Sequence, residues 1–300
     1  MWQALLPALI KGDVKAVARS ISLVENEVPG YDDFLASLPQ ANAPKIIGIT
    51  GPPGAGKSTL TDALINELVA DGKRVAVLCV DPSSPFNLGA VLGDRIRMSD
   101  WYTHPDVFIR SLATRGSVGG LNSKIIEITS LLNAAPFDLI LVETVGVGQS
   151  EIEIAGLADV TVVVLVPEGG DEVQTMKAGL MEIADVFVVN KSDRPGADAF
   201  VKNLRLMLAP AFRHHGAEIP IVKTEASQHV GTTELYGVLK KLLATGKEKE
   251  KQIWLLTDRI YQIIQKEKMK AVDKSALKAA VTEHLQQPQF NMYRFARRYL

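Results

Sequence analysis

Between Lys45 and Glu225 the chain alternates short, β-branched apolar runs with longer stretches whose apolar residues recur every three or four positions. The short runs are KIIGIT, RVAVLCVD, DVFIRSL, FDLILVET, DVTVVVLVP, DVFVVNK and IPIVKTE. Near-continuous apolar strands separated by helices predict an α/β architecture, a mostly parallel sheet with helices on both faces. In such sheets ligands bind beyond the carboxyl ends of the strands, so the residues that follow each run are the first candidates for chemistry. Helical spacing continues outside this region. Residues 1–43 place Leu5, Leu9, Val14, Val17, Ile21 and Val24 at helical intervals and end near Pro39 and Pro44. Beyond the charged tract GKEKEK, Ile253, Leu256, Ile260 and Ile263 predict a further helix, with more helix to Leu300. The expected division is an N-terminal helical extension (1–43), an α/β domain (44–245) and a C-terminal helical extension (246–300).

Composition narrows the picture. In 300 residues, 47% hydrophobic and 22% charged, there is material for one large domain with helical additions. A formal net charge of −1 gives no support to a nucleic-acid-coating or anionic-membrane-coating role, so neither partner is expected. The one cysteine, Cys79, lies in an apolar strand run, and a buried residue in a reducing cytoplasm is expected rather than a nucleophile. No basic leader precedes a cleavage site, and no apolar run approaches the ~20 residues needed to cross a bilayer, so a cytoplasmic, unprocessed chain is expected.

The stretch GPPGAGKST, Gly51 to Thr59, matches G-x-x-x-x-G-K-[ST] and lies between a strand and an amphipathic helical pattern starting near Lys57. Gly51, Gly54 and Gly56 let backbone N–H groups turn toward an anion, and Pro52, Pro53, Ala55 and Thr59 complete the cradle. Lys57 supplies a point charge for the β- and γ-phosphates, and the Ser58 hydroxyl is placed to coordinate Mg²⁺. Magnesium calls for oxygen ligands at neighbouring strand ends. Asp81 closes one strand run, Asp94 lies in the loop LGDRIRM, and Glu143 closes another. Glu143 opens ETVGVGQSE, which puts Gly146 where an amide could sense the γ-phosphate; Gln149 reads equally as a water-orienting residue or a solvent-facing loop glutamine.

The base is read from NKSD, which ends the sixth run. Guanine presents N1–H and an exocyclic amine side by side, and the carboxylate of Asp193 can accept from both, whereas adenine has no such pair. Asn190 can hold the loop and the other edge of the base, with the Lys191 stem over the purine face. In the loop TEAS, the Ala226 amide is assigned to the guanine carbonyl, with Thr224 and Glu225 beside it. GTP and GDP with Mg²⁺ are therefore the expected ligands.

These stretches, with VDPSSP, GDRIRM, ATRGSVGGL, GDEVQTMKAGLMEIADVFVVNKSD and GDVKAVARSISLVEN, resemble the MeaB/ArgK family of G-protein chaperones, to which the methylmalonic aciduria type A proteins belong. The resemblance runs from about residue 10 to about residue 245. It implies a P-loop GTPase in which Lys57 and Ser58 serve phosphate and metal, Asp81, Asp94 and Glu143 form the metal-linked acidic set, and Asn190, Lys191 and Asp193 read guanine. It also implies a mobile loop whose Asp171, Gln174 and Lys177 couple nucleotide state to an adenosylcobalamin-dependent acyl-CoA mutase. A homodimer through the C-terminal helices is implied, and a cobalamin adenosyltransferase stays open as a further partner. Glu225 replaces the small serine more usual in the base loop, and Glu168 and Gly170 alter the start of the mobile loop. With no strong base in evidence, Asp94, Gln149 or a partner's group is left to position water, and turnover is expected to be slow. ATRGSVGG, with Arg110 and Arg115 nearby, reads as a glycine-permitted loop or part of a docking surface. The rival readings are a small-molecule kinase of the ArgK-labelled transport type, a nickel-insertion GTPase and a GTP-holding scaffold without hydrolysis.

Overall fold

All seven apolar runs are strands of one parallel sheet. The structure, a computed structural model, describes residues 1–39, 44–81, 98–114, 121–145, 150–167, 183–215, 218–245, 249–285 and 290–299. The strands are β1 (Lys45–Thr50), β2 (Val75–Asp81), β3 (Val107–Ala113), β4 (Leu139–Glu143), β5 (Val160–Leu165), β6 (Val186–Asn190) and β7 (Ile221–Thr224), in the order β3-β2-β4-β1-β5-β6-β7. Every pairing is parallel. β1 therefore sits centrally, and the connection that leaves it opens at the point where strand order diverges to β4 on one side and β5 on the other.

Both faces of the five inner strands are dry, which is why those strands read as continuous rather than alternating apolar runs, while the edge strands β3 and β7 keep partly exposed positions. On one face Ile47, Ile49, Val77, Leu141, Val162 and Val188 pack against α4 (Lys57–Ala70) and α8 (Thr232–Thr245). On the other, Ile46, Leu78, Ile140 and Val142 meet α1 (Trp2–Ile10), α2 (Val14–Glu25), α3 (Tyr31–Ala36), α5 (Ile125–Asn133) and α6 (Ser150–Leu157). Farther along that face Val163, Phe187 and Val189 meet α7 (Ala197–His215). The buried Cys79 lies within β2.

Two details depart from the periodicity. Helix α4 is not one-sided: Lys57, Ser58, Leu60, Thr61, Ala63, Leu64, Ile65 and Leu68 are all buried, because α8 covers the flank that the sheet leaves open. Val14 stands 49% exposed, since Asp13 caps α2 by accepting from the Ala16 amide at 2.7 Å and Val14 is its first, outward-facing residue. Leu9, Val17, Ile21 and Val24 are fully buried as the spacing predicts.

The described residues fall into two compact units, Met1–Lys247 and Glu248–Leu300. The N-terminal helices thus share the core of the sheet. They are fastened by Arg110 of β3 to Glu25 at 2.9 Å and Ser22 at 3.0 Å, and by the buried Lys124 to Glu27 at 2.6 Å and the Tyr31 hydroxyl at 3.1 Å. The second unit holds α9 (Lys249–Met269), α10 (Lys274–His284) and α11 (Met292–Ala296), with caps from Asp273 and Asn291. Its helical spacing is realised, and Ile253, Ile260 and Ile263 stand exposed on α9. No helix of the described residues is long and apolar enough to cross a membrane.

Candidate nucleotide site

The crevice lies where β1, β2, β4, β6 and β7 end. From Thr50 the chain turns through Gly51–Gly56 into α4, with Gly51 at φ +141° and Gly56 at φ +87°. A side chain is excluded at both for a further reason. A Cβ at Gly51 would collide with the carbonyl oxygen of Val164, and one at Gly56 with the amide nitrogen of Asn190. Gly51→Ala is accordingly expected to cost about 3 kcal/mol of stability, because the obstacle is backbone of a central strand and cannot yield; a urea titration reads it.

Lys57 is buried, and its ammonium donates to the carbonyls of Gly51 at 2.9 Å and Pro52 at 3.1 Å, so the cation is held inside the turn that precedes it. Ser58, one residue on, donates its hydroxyl to Glu143 Oε1 at 2.6 Å. The Thr61 hydroxyl shares its proton between Glu143 Oε2 at 3.0 Å and the Lys57 carbonyl at 2.9 Å. The motif did not single out Thr61, yet its spacing three residues after Ser58 puts both hydroxyls on one helix face, toward the end of β4. Asp81 is buried at the end of β2, whose Cys79 is the register partner of Glu143; Asp81 therefore lies one pleat beyond on the same face. Two buried carboxylates and a hydroxyl at the mouth of an N–H-rich turn suit a hard, oxygen-seeking divalent cation paired with phosphate oxygens. The residues present thus fit Mg²⁺ with a nucleotide phosphate.

Forty-seven residues beyond Glu143, Asn190 joins the other loops to this turn. Its side-chain amide donates to the Ala55 carbonyl at 2.9 Å, while its oxygen accepts from the Thr224 hydroxyl at 3.0 Å and the Ala226 amide at 3.1 Å. Lys191, at φ +56°, donates to the Gly54 carbonyl at 2.8 Å. Ser192 donates its amide to the Thr224 carbonyl at 3.0 Å, and Asp193 stands exposed in the turn that follows. Glu225 closes a short ring with Val230, donating its amide at 3.0 Å, so the residue that replaces serine is held by its backbone. Here the Ala226 amide points at Asn190, a partner the sequence did not assign to it.

The structure therefore brings together Gly51, Ala55, Gly56, Lys57, Ser58, Asp81, Glu143, Asn190, Lys191, Thr224 and Ala226. Asp94, Gly146, Gln149, Asp171, Gln174 and Lys177, with Glu168, Gly170 and Arg115, lie outside the described residues. Arg110 does not join a docking loop: it is engaged with Glu25 and Ser22 of α2, because its position in β3 turns it toward the N-terminal helices.

Known proteins resemble this chain in sequence and in fold. The sequence model of the family described as "Methylmalonyl Co-A mutase-associated GTPase MeaB" matches residues 17–280. A Pyrococcus abyssi protein named as a GTPase is 47% identical over 272 residues, 88% of this chain and 84% of its own. GTPase ArgK of Escherichia coli is 41% identical over 190 residues, 62% of this chain and 57% of its own. The mouse mitochondrial methylmalonic aciduria type A homolog is 32% identical over 282 residues, covering 84% of this chain and 67% of its own. Among solved structures, that of an LAO/AO transport system kinase superposes with a TM-score of 0.67 over 99% of this chain and 96% of that one, at 24% identity, a likeness of fold.

Proposed function

Because the chain belongs to the MeaB family of methylmalonyl-CoA mutase-associated GTPases, we propose that it is a Mg²⁺-dependent GTP-hydrolysing switch that gates the loading and protection of an adenosylcobalamin-dependent acyl-CoA mutase. The observation that carries this reading is the join at Asn190. One side chain bonds both the phosphate turn, at Ala55, and the candidate base loop, at Ala226, so the two ends of a nucleotide crevice are held as one body.

In this reading the P-loop amides and Lys57 hold the phosphates, and Ser58, Asp81 and Glu143 hold the metal, with Asp94 from the same resemblance. Bound Mg²⁺ supplies charge neutralisation at the phosphate oxygens. Binding releases the Lys57 ammonium from the Gly51 and Pro52 carbonyls toward the stronger phosphate charge. Asp193 selects guanine. Catalysis by positioning and electrostatics rather than by covalent chemistry belongs to the same reading. Water is positioned by Asp94, Gln149 or a group from the partner. Gly146, Asp171, Gln174 and Lys177 are the carriers of nucleotide state to the mutase, by a two-state loop change. A homodimer through the C-terminal helices belongs to the same reading, as does a cobalamin adenosyltransferase as a second partner.

The test is binding to a purified methylmalonyl-CoA mutase with GDP or a non-hydrolysable GTP analogue present. At least tenfold different affinities are expected, a coupling of about 1.4 kcal/mol. Equal affinities, with equal rates of cofactor transfer, would remove the switch. Phosphate transfer that occurs only with an added small-molecule acceptor would point instead to a kinase.

A further inference from the structure

The base loop is held at its front by Asn190, but it is also tied at its back, to the helix that carries the P-loop. Glu67 lies ten residues after Lys57 on α4, about 15 Å along the axis. Its Oε1 accepts from the Thr233 hydroxyl at 2.9 Å and from the Thr232 hydroxyl at 3.1 Å. Thr232 is fully buried, and it also reaches the carbonyl of His229 at 3.0 Å. A hydroxyl carries one proton, so Thr232 shares it between the last turn of the base loop and the P-loop helix.

The loop between these ties leaves little slack. Ala226 is buried in the core beneath it, Glu225 and Val230 close its neck, and His229 takes a left-handed conformation at φ +55° to turn the chain into α8. One turn farther, the Tyr236 hydroxyl donates to Asp71 at 2.7 Å. That bond and the charge of Lys240 hold the Asp71 carboxyl below the usual range, while burial, with Asp71 second, pushes the Tyr236 phenol up. Helix α4 thus fixes phosphate at its N-terminus and registers the start of α8 along its second half.

We propose that Glu67 is a positioning residue for base recognition. Through Thr232 and Thr233 it holds the loop carrying Ala226 at a set distance from the phosphate turn, so that losing it relaxes the choice of base and leaves the phosphate site alone. The inference rests on the reading of this crevice as a guanine-nucleotide site. Glu67 touches no part of that crevice itself. Its effect is transmitted by two hydroxyls, and a charged acceptor makes those bonds stronger than neutral ones.

The experiment is displacement of a fluorescent GDP analogue from the full chain by GDP and by ADP. Glu67→Ala is expected to weaken GDP about tenfold and ADP by less than about twofold, so the preference for guanine falls nearly tenfold. Glu67→Gln should keep GDP within about twofold, because its amide oxygen can accept the same hydroxyl protons. Thr233→Val, at an exposed position whose packing survives, should weaken GDP about threefold and ADP hardly at all. Equal weakening of GDP and ADP by Glu67→Ala overturns the proposal, as does GDP affinity unmoved by Thr233→Val; the latter decides alone if Glu67→Ala does not fold. A wild-type protein that binds no GDP would overturn the guanine-site reading itself, an outcome distinct from one in which GDP binds and the Glu67 variants leave its preference intact.

Discussion

Asp193→Asn is expected to exchange the preferred nucleotide, lowering GDP affinity relative to XDP by about 10³-fold, with folding stability within about 0.5 kcal/mol of the parent. The reason lies in the donor pattern of the base. Guanine offers N1–H and the 2-amino group, and a carboxylate accepts from both; asparagine offers one acceptor and one donor, which matches the N1–H and 2-oxo group of xanthine. A site built to pair a buried polar edge rejects the mismatched base strongly, because the unpaired group forfeits its hydration. Asp193 is exposed in the turn after β6, so the substitution disturbs no packing. Titration of the variant with GDP and XDP reads the exchange directly. An unchanged ratio of the two affinities would remove Asp193 from base recognition.

Asn190→Ala should have the opposite profile, harming fold and ligand together. Asn190 is 2% exposed, and its loss leaves the Ala55 carbonyl, the Thr224 hydroxyl and the Ala226 amide without the partner they share. An unsatisfied buried group costs about 1–3 kcal/mol, and the three are neighbours whose costs do not add, so the expected destabilisation is about 3 kcal/mol. GDP affinity should fall about 100-fold, since both the phosphate turn and the base loop lose their common anchor. Asn190→Asp separates the two halves. It keeps an acceptor for Thr224 and Ala226 but has no donor for Ala55, so the base loop should hold while the phosphate turn loosens. Urea unfolding with GDP titration checks both variants, and a stable Asn190→Ala protein of normal affinity would show that the crevice does not depend on this join.

The Glu67 staple extends the same physics to the rear of the site. Asn190 bonds the turn that leads into α4, while Glu67 and Asp71 bond from α4 and its end to the chain that follows β7, so the P-loop turn and helix together act as a common reference for loops that arrive from β6 and β7. That places control of base choice partly on residues with no contact to a base.

What the chain determines by itself are features set within a few residues. Seven apolar runs become seven strands, the inner five buried on both faces, and GPPGAGKS becomes a strand–turn–helix because Gly51 and Gly56 take backbone angles that other residues resist. Asp13 and Asp273 start their helices by bonding an amide three residues away. Only the tertiary structure could decide which of these pieces meet. Ser58 and Glu143 are 85 residues apart, Asn190 and Ala55 135, and Glu67 and Thr233 166. Their meeting follows from a strand order in which β1 lies between β4 and β5, which no local pattern encodes. For the same reason the helical spacing around α4 gave no sign of the second covering helix, and the strand run that holds Arg110 gave no sign that its side chain meets Glu25. Periodicity reports which face of an element is apolar; the partner on that face is settled by the long-range closure of the sheet, whose free energy is shared among strands far apart in the chain.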